Sequence, residues 1–193
     1  PIINAMLNKI HHRGPDDHGT WSDSNNGVIL GHKRLSIVDL TISGHQPMHS
    51  HSDRYVVIFN GEIYNHTDLR KKLNSDKKIS SWNGTSDTET LLAGFDVWGI
   101  RRTMAECIGM FSLAVWDKAS KTLSLIVDRV GEKPMYYGWQ GQGKAKTFLF
   151  GSELKALKEH PVFEKNINRD SLSLLMRHSY ISYPNSIWKG IHK

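Results

Sequence analysis

The sequence predicts an α+β fold in which antiparallel strands are covered by helices. Three observations carry this. Residues 110–152 hold four β-prone runs, "MFSLAVWD", "TLSLIVD", "PMYYGW" and "TFLFGS", joined by short turns as in an antiparallel meander. Amphipathic helical runs stand at 2–10, 66–73 and 86–98, before that meander. No repeat, low-complexity tract or linker interrupts residues 1–193, so a single domain is expected.

The elements follow in order. Ile2, Ile3, Met6, Leu7 and Ile10 share one helical face behind Pro1, which suits the first turn of a helix. The stretch "HHRGPDDHG" then reads as a loop by its Gly, Pro and Asp content. Short strands are expected at Val28 to Leu30 and Leu35 to Val38, with a polar loop from Thr41 to Asp53. Next comes "RYVVIFNGEIYNH", whose apolar run Val56 to Phe59 meets Asn60-Gly61. Asn-Gly between β-prone runs is a strong hairpin signal, but the run after it is only three residues long. A helix follows from His66 to Leu73, then a loop to Thr85. Ser86 to Glu89 has capping-box spacing ahead of Leu91, Leu92, Phe95, Val97 and Trp98. After the meander, helices are expected near Glu153 to Glu159 and Arg169 to Arg177.

Composition narrows the function classes. No long apolar run, basic-apolar leader or lipidation signature is present, so no membrane role is expected. One Cys cannot form an internal disulfide, which fits a reducing, cytoplasmic setting. The net charge of +6 raises nucleic-acid binding, but the basic clusters Lys71-Lys72, Lys77-Lys78 and Arg101-Arg102 are short. Aromatic residues are not interleaved with them for base stacking, so a solvated basic surface and no nucleic acid are expected. The chain opens at Pro1 without an initiator Met, as a cut inside a larger protein would.

Several motifs offer chemistry and then withdraw it. "GWQGQGKA" has phosphate-loop spacing, yet Ala145 stands where Ser or Thr is needed and a strand follows instead of a helix. His45, His49 and His51 have no HExxH or Cys partners, so no metal is expected. Cys107 reads as a small buried hydrophobe.

Three positions keep two readings each. Asp87 heads a capped helix, where a carboxylate complements the dipole for ~0.3–1 kcal/mol, or it receives a substrate ammonium. Arg34 has opposite parity to Leu35 and Ile37, and points either to solvent or at a carboxylate it clamps. Asn60-Gly61 is a turn, or it is a carboxamide donor beside a Gly N–H with no Cβ in the way, as an oxyanion hole requires.

Taken together, "HRGPDDHG", "HKRLSIVDL", "GHQPM", "NGEIYNH", "SDTETLL", "GMFSLAVWD", "DRVGEKPMYYG" and "GSELKAL" occur in the order found in glutamine-dependent asparagine synthetases. The chain resembles their amino-terminal glutaminase domain, a class II glutamine amidotransferase, over 1–193 with its motifs between His11 and Leu157. The resemblance implies a four-layer αββα sandwich of two antiparallel sheets, the amino-terminal nucleophile hydrolase type, here without its first strand. It implies glutamine as substrate, hydrolysed by a terminal Cys whose own α-amino group is the base. By motif, Arg34 would hold the α-carboxylate, with Leu35, Ser36, Ile37 and Val38 shaping the pocket. Asn60 and Gly61 would be the oxyanion donors, Glu62 would face the substrate, and Asp87 would take the α-ammonium. The Cys nucleophile would precede Pro1, so residues 1–193 alone are expected to be inactive. No cofactor is implied within them, whereas ATP and Mg2+ would serve a carboxy-terminal synthetase domain that turns aspartate into asparagine, and a homodimer is a further expectation. Another carboxylate acceptor, or glutamine binding without catalysis, remains open on these residues.

Overall fold

A computed structural model describes residues 1–37, 39–75, 79 and 81–193. Val38 and the Lys77-Lys78 pair, both singled out above, lie outside the described residues. In chain order the elements are α1 (Ile2–Lys9), β1 (Asp17–Asp23), β2 (Val28–Arg34), β3 (Met48–His49), β4 (Tyr55–Ile63), α2 (His66–Ser75), α3 (Asp87–Trp98) and α4 (Ile100–Glu106). They continue with β5 (Gly109–Asp117), β6 (Thr122–Val127), β7 (Tyr136–Gln140), β8 (Thr147–Gly151), α5 (Leu154–Leu157), α6 (Arg169–His178) and β9 (Ile191–His192).

Two compact units divide the chain: His11–Lys133, and Pro1–Ile10 with Pro134–Lys193. The first holds the hairpin β1-β2, paired from Asp17↔Arg34 to Asp23↔Val28, and an antiparallel sheet of order β3-β4-β5-β6. Strand periodicity of two sends Tyr55, Val57, Phe59 and Ile63 of β4 to one face. There they bury against Leu69 of α2, Leu91, Leu92 and Phe95 of α3, and Phe111, Leu113 and Val115 of β5. Each such side chain contributes roughly 1.5–3 kcal/mol by leaving water. Ser86 Oγ accepts the Glu89 N–H at 3.2 Å and caps α3, which ends at Gly99 with φ +80°.

The second unit is a sheet of order β8-β7-β9 with α1, α5 and α6. Its core is Leu149, Leu157, Phe163 and Ile191, lined by Met6, Tyr136, Leu154, Val162 and Trp188. Lys9 at the end of α1 lies 3.4 Å from Glu159, two residues past α5. Asn168 caps α6 by accepting the N–H groups of Asp170 and Ser171.

The mixed α/β class and antiparallel sheets match the expectation, and residues 138–145 fall on β7 and the connection to β8 as a hairpin. Five details differ. β2 runs to Arg34 and stops there, so the strand expected at Leu35 to Val38 does not form over its described residues; Leu35 and Ile37 are exposed. β1 starts inside the supposed loop, because its residues alternate without enough apolar members to announce a strand. α4 was hidden by the helix before it, and the later helix shrinks to Leu154–Leu157. Asn60-Gly61 makes no turn: β4 passes straight through it to Ile63, paired with β5 throughout.

Candidate functional site

The site begins at the edge of β4. Tyr64 N donates to Ile108 O at 2.8 Å, and Lys118 N to Arg54 O at 3.0 Å, in register with the β4-β5 ladder. Even-numbered backbone groups of β4 therefore face β5, and odd-numbered ones face the opposite edge. On that edge β3 pairs only as far as Val57. Beyond it, Phe59 N donates to Gln46 Oε1 at 2.7 Å and Ile63 N to Asp87 Oδ2 at 2.9 Å. Gly61 N lies between them with no partner among the described residues.

The neighbouring Asn60 side chain carries a second free donor. Its Nδ2 is buried and unpaired among the described residues. A backbone donor and a side-chain donor on adjacent residues are an arrangement able to hold a developing oxyanion. Gly61 is required by close approach, since a Cβ there would overlap Met110 O and lie 2.6 Å from Phe111 Cα.

Asp87 opens α3 and is 5% exposed. Besides Ile63 N, it accepts the Thr88 N–H at 2.8 Å. A carboxylate serving only as a helix cap would titrate low. Burial nevertheless pushes Asp87 up, against the lowering effect of both N–H bonds and of His66, with Glu62 pushing the same way as burial. Desolvation outweighs the local donors, so the charged form gains from a cation brought to it. Glu62 is half-buried, on the same β4 face as Asn60. Burial, and then the Asp87 and Glu106 carboxylates, push the Cys107 thiol up to about 12, which leaves it no nucleophile.

Arg34 ends β2 and is buried rather than solvated. Nη1 donates to Thr41 O at 3.0 Å and Nη2 to Asp39 O. A Cβ on Gly44 would overlap Nη2, so only Gly lets this loop close over the guanidinium. Asp17 Oδ2 lies 4.0 Å from Nη1 and 2.7 Å from His45 Nδ1. Two residues back, on the same face of β2, His32 Nε2 sits 3.0 Å from Phe59 O. Burial lowers His32 to about 4, with Arg34 acting in the same direction. The ring is therefore neutral, and because a carbonyl can only accept, Nε2 carries the proton.

These contacts close a ring around the β4 edge. Arg34 holds Asp39 O, and Asp39 Oδ2 accepts the Thr85 N–H at 2.9 Å. Thr85 leads through Ser86 to Asp87, Asp87 binds Ile63 N, and His32 returns from Phe59 to β2. The fold thus brings Arg34, Asn60, Gly61, Glu62 and Asp87 together. Leu35, Ser36 and Ile37 leave the ring, with Ser36 N held by Asp16 Oδ2 at 2.8 Å. The sequence reading missed His32, Gln46 and Asp39. His32 had a signal, since alternate strand residues share a face and Arg34 had already been singled out.

A class of protein is defined at this point. The sequence model of the glutamine amidotransferase domain matches residues 1–193, and the chain belongs to that family. Particular relatives are asparagine synthetases: the glutamine-hydrolysing asparagine synthetase 3 of Bacillus subtilis is 37% identical over 98% of this chain and 30% of its own length. Asparagine synthetase 2 of the same organism is 36% identical over 89% of this chain and 22% of its own length. The chain thus spans less than a third of either relative. Among solved structures, glutamine phosphoribosylpyrophosphate amidotransferase from B. subtilis superposes with a TM-score of 0.63 at 19% identity, over 81% of this chain and 40% of that one. That likeness shows the fold.

Proposed function

We propose that these residues are the glutaminase portion of a glutamine-dependent asparagine synthetase. The observation that carries the reading is the pair of unsatisfied donors, Asn60 Nδ2 and Gly61 N–H, beside the opposed charges of Arg34 and Asp87. An α-amino acid with a side-chain carboxamide uses all four. Its α-carboxylate meets the Arg34 guanidinium, its α-ammonium meets Asp87, and its carboxamide oxygen falls to the two donors.

In this reading an amino-terminal Cys thiolate, supplied from outside residues 1–193, attacks the carboxamide carbon. The C=O π electrons move to oxygen, where Asn60 and Gly61 stabilise the charge. Collapse breaks the C–N bond, the nitrogen takes from the α-ammonium of that Cys the proton its amine had removed from the thiol, and ammonia departs to leave a glutamyl thioester. Water then cleaves the thioester to glutamate and regenerates the thiolate. The ammonia passes to a synthetase portion of the same protein, where ATP and Mg2+ activate aspartate for amidation. No cofactor is assigned to residues 1–193. The reading also takes a cytoplasmic setting and a homodimer as its expectations; among the described residues no helix is long and apolar enough to cross a membrane.

The test supplies the intact protein with glutamine labelled by 15N in its amide, together with aspartate, ATP and Mg2+. Label in the asparagine amide is the expected result. Glutamate formation without labelled asparagine would overturn the acceptor, and untouched glutamine would overturn the whole reading.

A further inference from the structure

Arg70 stands outside every role assigned above. It lies on α2, and its guanidinium is spent on one short stretch, residues 82–90. Nε donates to Thr90 Oγ1 at 2.7 Å, and Nη1 to Gly84 O at 2.9 Å. Nη2 donates to Ser86 O at 2.8 Å and to Glu89 Oε2 at 3.2 Å. The guanidinium carbon sits over the Trp82 ring, 4.1 Å from its centroid. Glu89 grips the same stretch, accepting Asn83 N at 2.6 Å and Gly84 N at 3.0 Å. The Arg70 and Glu89 side chains are only 16% and 17% exposed. Their contacts are therefore little screened, unlike those of surface ion pairs.

The stretch so held has two working ends. Thr85 N binds Asp39 Oδ2, and the Asp39 carbonyl receives the Arg34 guanidinium. Ser43 Oγ adds a bond to Asn83 O at 3.1 Å, and a Cβ on Gly84 would stand 2.5 Å from Asp39 Oδ2, so the two loops are in close contact. At the other end Ser86 caps α3 and Asp87 follows. Arg34 and Asp87 therefore both hang on residues 82–87, and one planar, five-donor fork fixes that segment.

We propose that Arg70 is a positioning residue for the amino-acid clamp: it sets the spacing between Arg34 and Asp87, and so selects ligands that carry carboxylate and ammonium on one carbon. This inference rests on the glutamine reading of the site. Such a ligand has a fixed separation between its charges, and misplacement of a contact by about 1 Å can cost on the order of 100-fold. Lys retains the charge of Arg70 but cannot reach three carbonyl and hydroxyl acceptors in one plane.

The experiment compares Arg70→Lys with wild type in the intact protein, and uses Lys71→Ala, an exposed change on the same helix, as control. Arg70→Lys should raise KM for glutamine about tenfold or more, leave kcat within about threefold, and leave ammonia-supported amidation unchanged. Combined with Asp87→Asn, its effect on KM should fall well short of the product of the two single effects, because both act on one clamp. Should Arg70→Lys fail to fold, Glu89→Gln must give the same KM-selective loss. Parallel loss of both activities, or multiplicative effects in the double variant, would overturn the proposal and leave Arg70 a stability residue. Wild type that hydrolyses glutamine while the variants keep its KM overturns the role of Arg70 alone. Wild type that ignores glutamine overturns both readings.

Discussion

Asp87 Oδ2 accepts the Ile63 N–H at 2.9 Å, so the first residue of α3 is tied to the last residue of β4. That bond sets the proposed ammonium partner two residues along the strand edge from the Gly61 donor. Burial of the carboxylate costs stability, because it raises the Asp87 pKa despite that bond.

Removing the Asp87 charge should therefore separate stability from binding. A carboxyl with a raised folded pKa opposes folding above that pKa, and the penalty disappears as pH falls through it. Asn keeps only one of the two N–H bonds, since its NH2 cannot accept, so the charge is read from the pH trend: wild type should gain on Asp87→Asn as pH falls from 7 toward 4. The variant's KM for glutamine should rise roughly 10- to 100-fold, as expected for losing a charged hydrogen bond. Thermal melts across pH 4 to 7 and steady-state kinetics check this, and a stability difference between the two that does not change with pH would contradict the account of burial. In wild type, glutamine binding should weaken as pH falls through a range above that of an ordinary carboxylate.

Asn60→Ala removes a buried donor that has no protein partner among the described residues, so it should not lower the melting temperature. Its kinetic effect should be large and confined to turnover. A loss of about 100- to 1,000-fold in kcat with KM little changed is the signature of an oxyanion donor. A variant with altered KM and intact kcat would remove Asn60 from that role.

Gly61→Ala tests the fold more than the chemistry. Its Cβ would overlap Met110 O across the β4-β5 ladder, and a central strand cannot yield cheaply. Urea unfolding should show a loss of roughly 1–3 kcal/mol or more. Unchanged stability would mean that the two strands separate more easily than their packing implies.

Gly44→Ala should phenocopy Arg34→Lys, although Gly44 lies ten residues from Arg34 in the chain. The new methyl would displace the Arg34 Nη2 atom from its place on the loop. Both variants should raise KM for glutamine by about tenfold and spare ammonia-supported activity. If Gly44→Ala were neutral, the loop would not be what aims the guanidinium.

His32 gives a pH signature of its own. Its folded pKa is about 4 against 6.5 for an ordinary His, so the unfolded chain binds the proton first. Stability should fall as pH drops from about 6.5 to 4 and then level off with respect to this group. His32→Gln should flatten that slope in urea titrations run between pH 4 and 7. An unchanged slope would show that the ring is already protonated in the fold.

Much of this was legible in the chain itself. The β4 run, the capped helix behind Ser86 and the meander after Met110 are written in apolar periodicity and capping residues, which act over a few residues. Ordered motifs likewise identified Arg34, Asn60, Gly61 and Asp87 as candidates. The sequence did not reveal that Asn60-Gly61 lies inside a strand, because a hairpin signal and a strand interior differ only in what pairs alongside. Here β5 pairs with both residues and overrides the local turn preference.

The sequence by itself determined most of the helices, the strand runs of β4 and of the meander, and the side chains able to bind an amino acid, since propensity, periodicity and charge are local properties. Tertiary structure alone decided that Arg34 is buried under Gly44, that Gly61 N–H is left open on the β4 edge, and that Asp87 is desolvated. The physical reason is that each of these depends on which distant backbone comes near: Thr41 and Asp39 at Arg34, β3 stopping short of Gly61, and Ile63 at Asp87. No pattern along the chain encodes those approaches, and Arg70, whose donors all go to residues 84–90, is their clearest case.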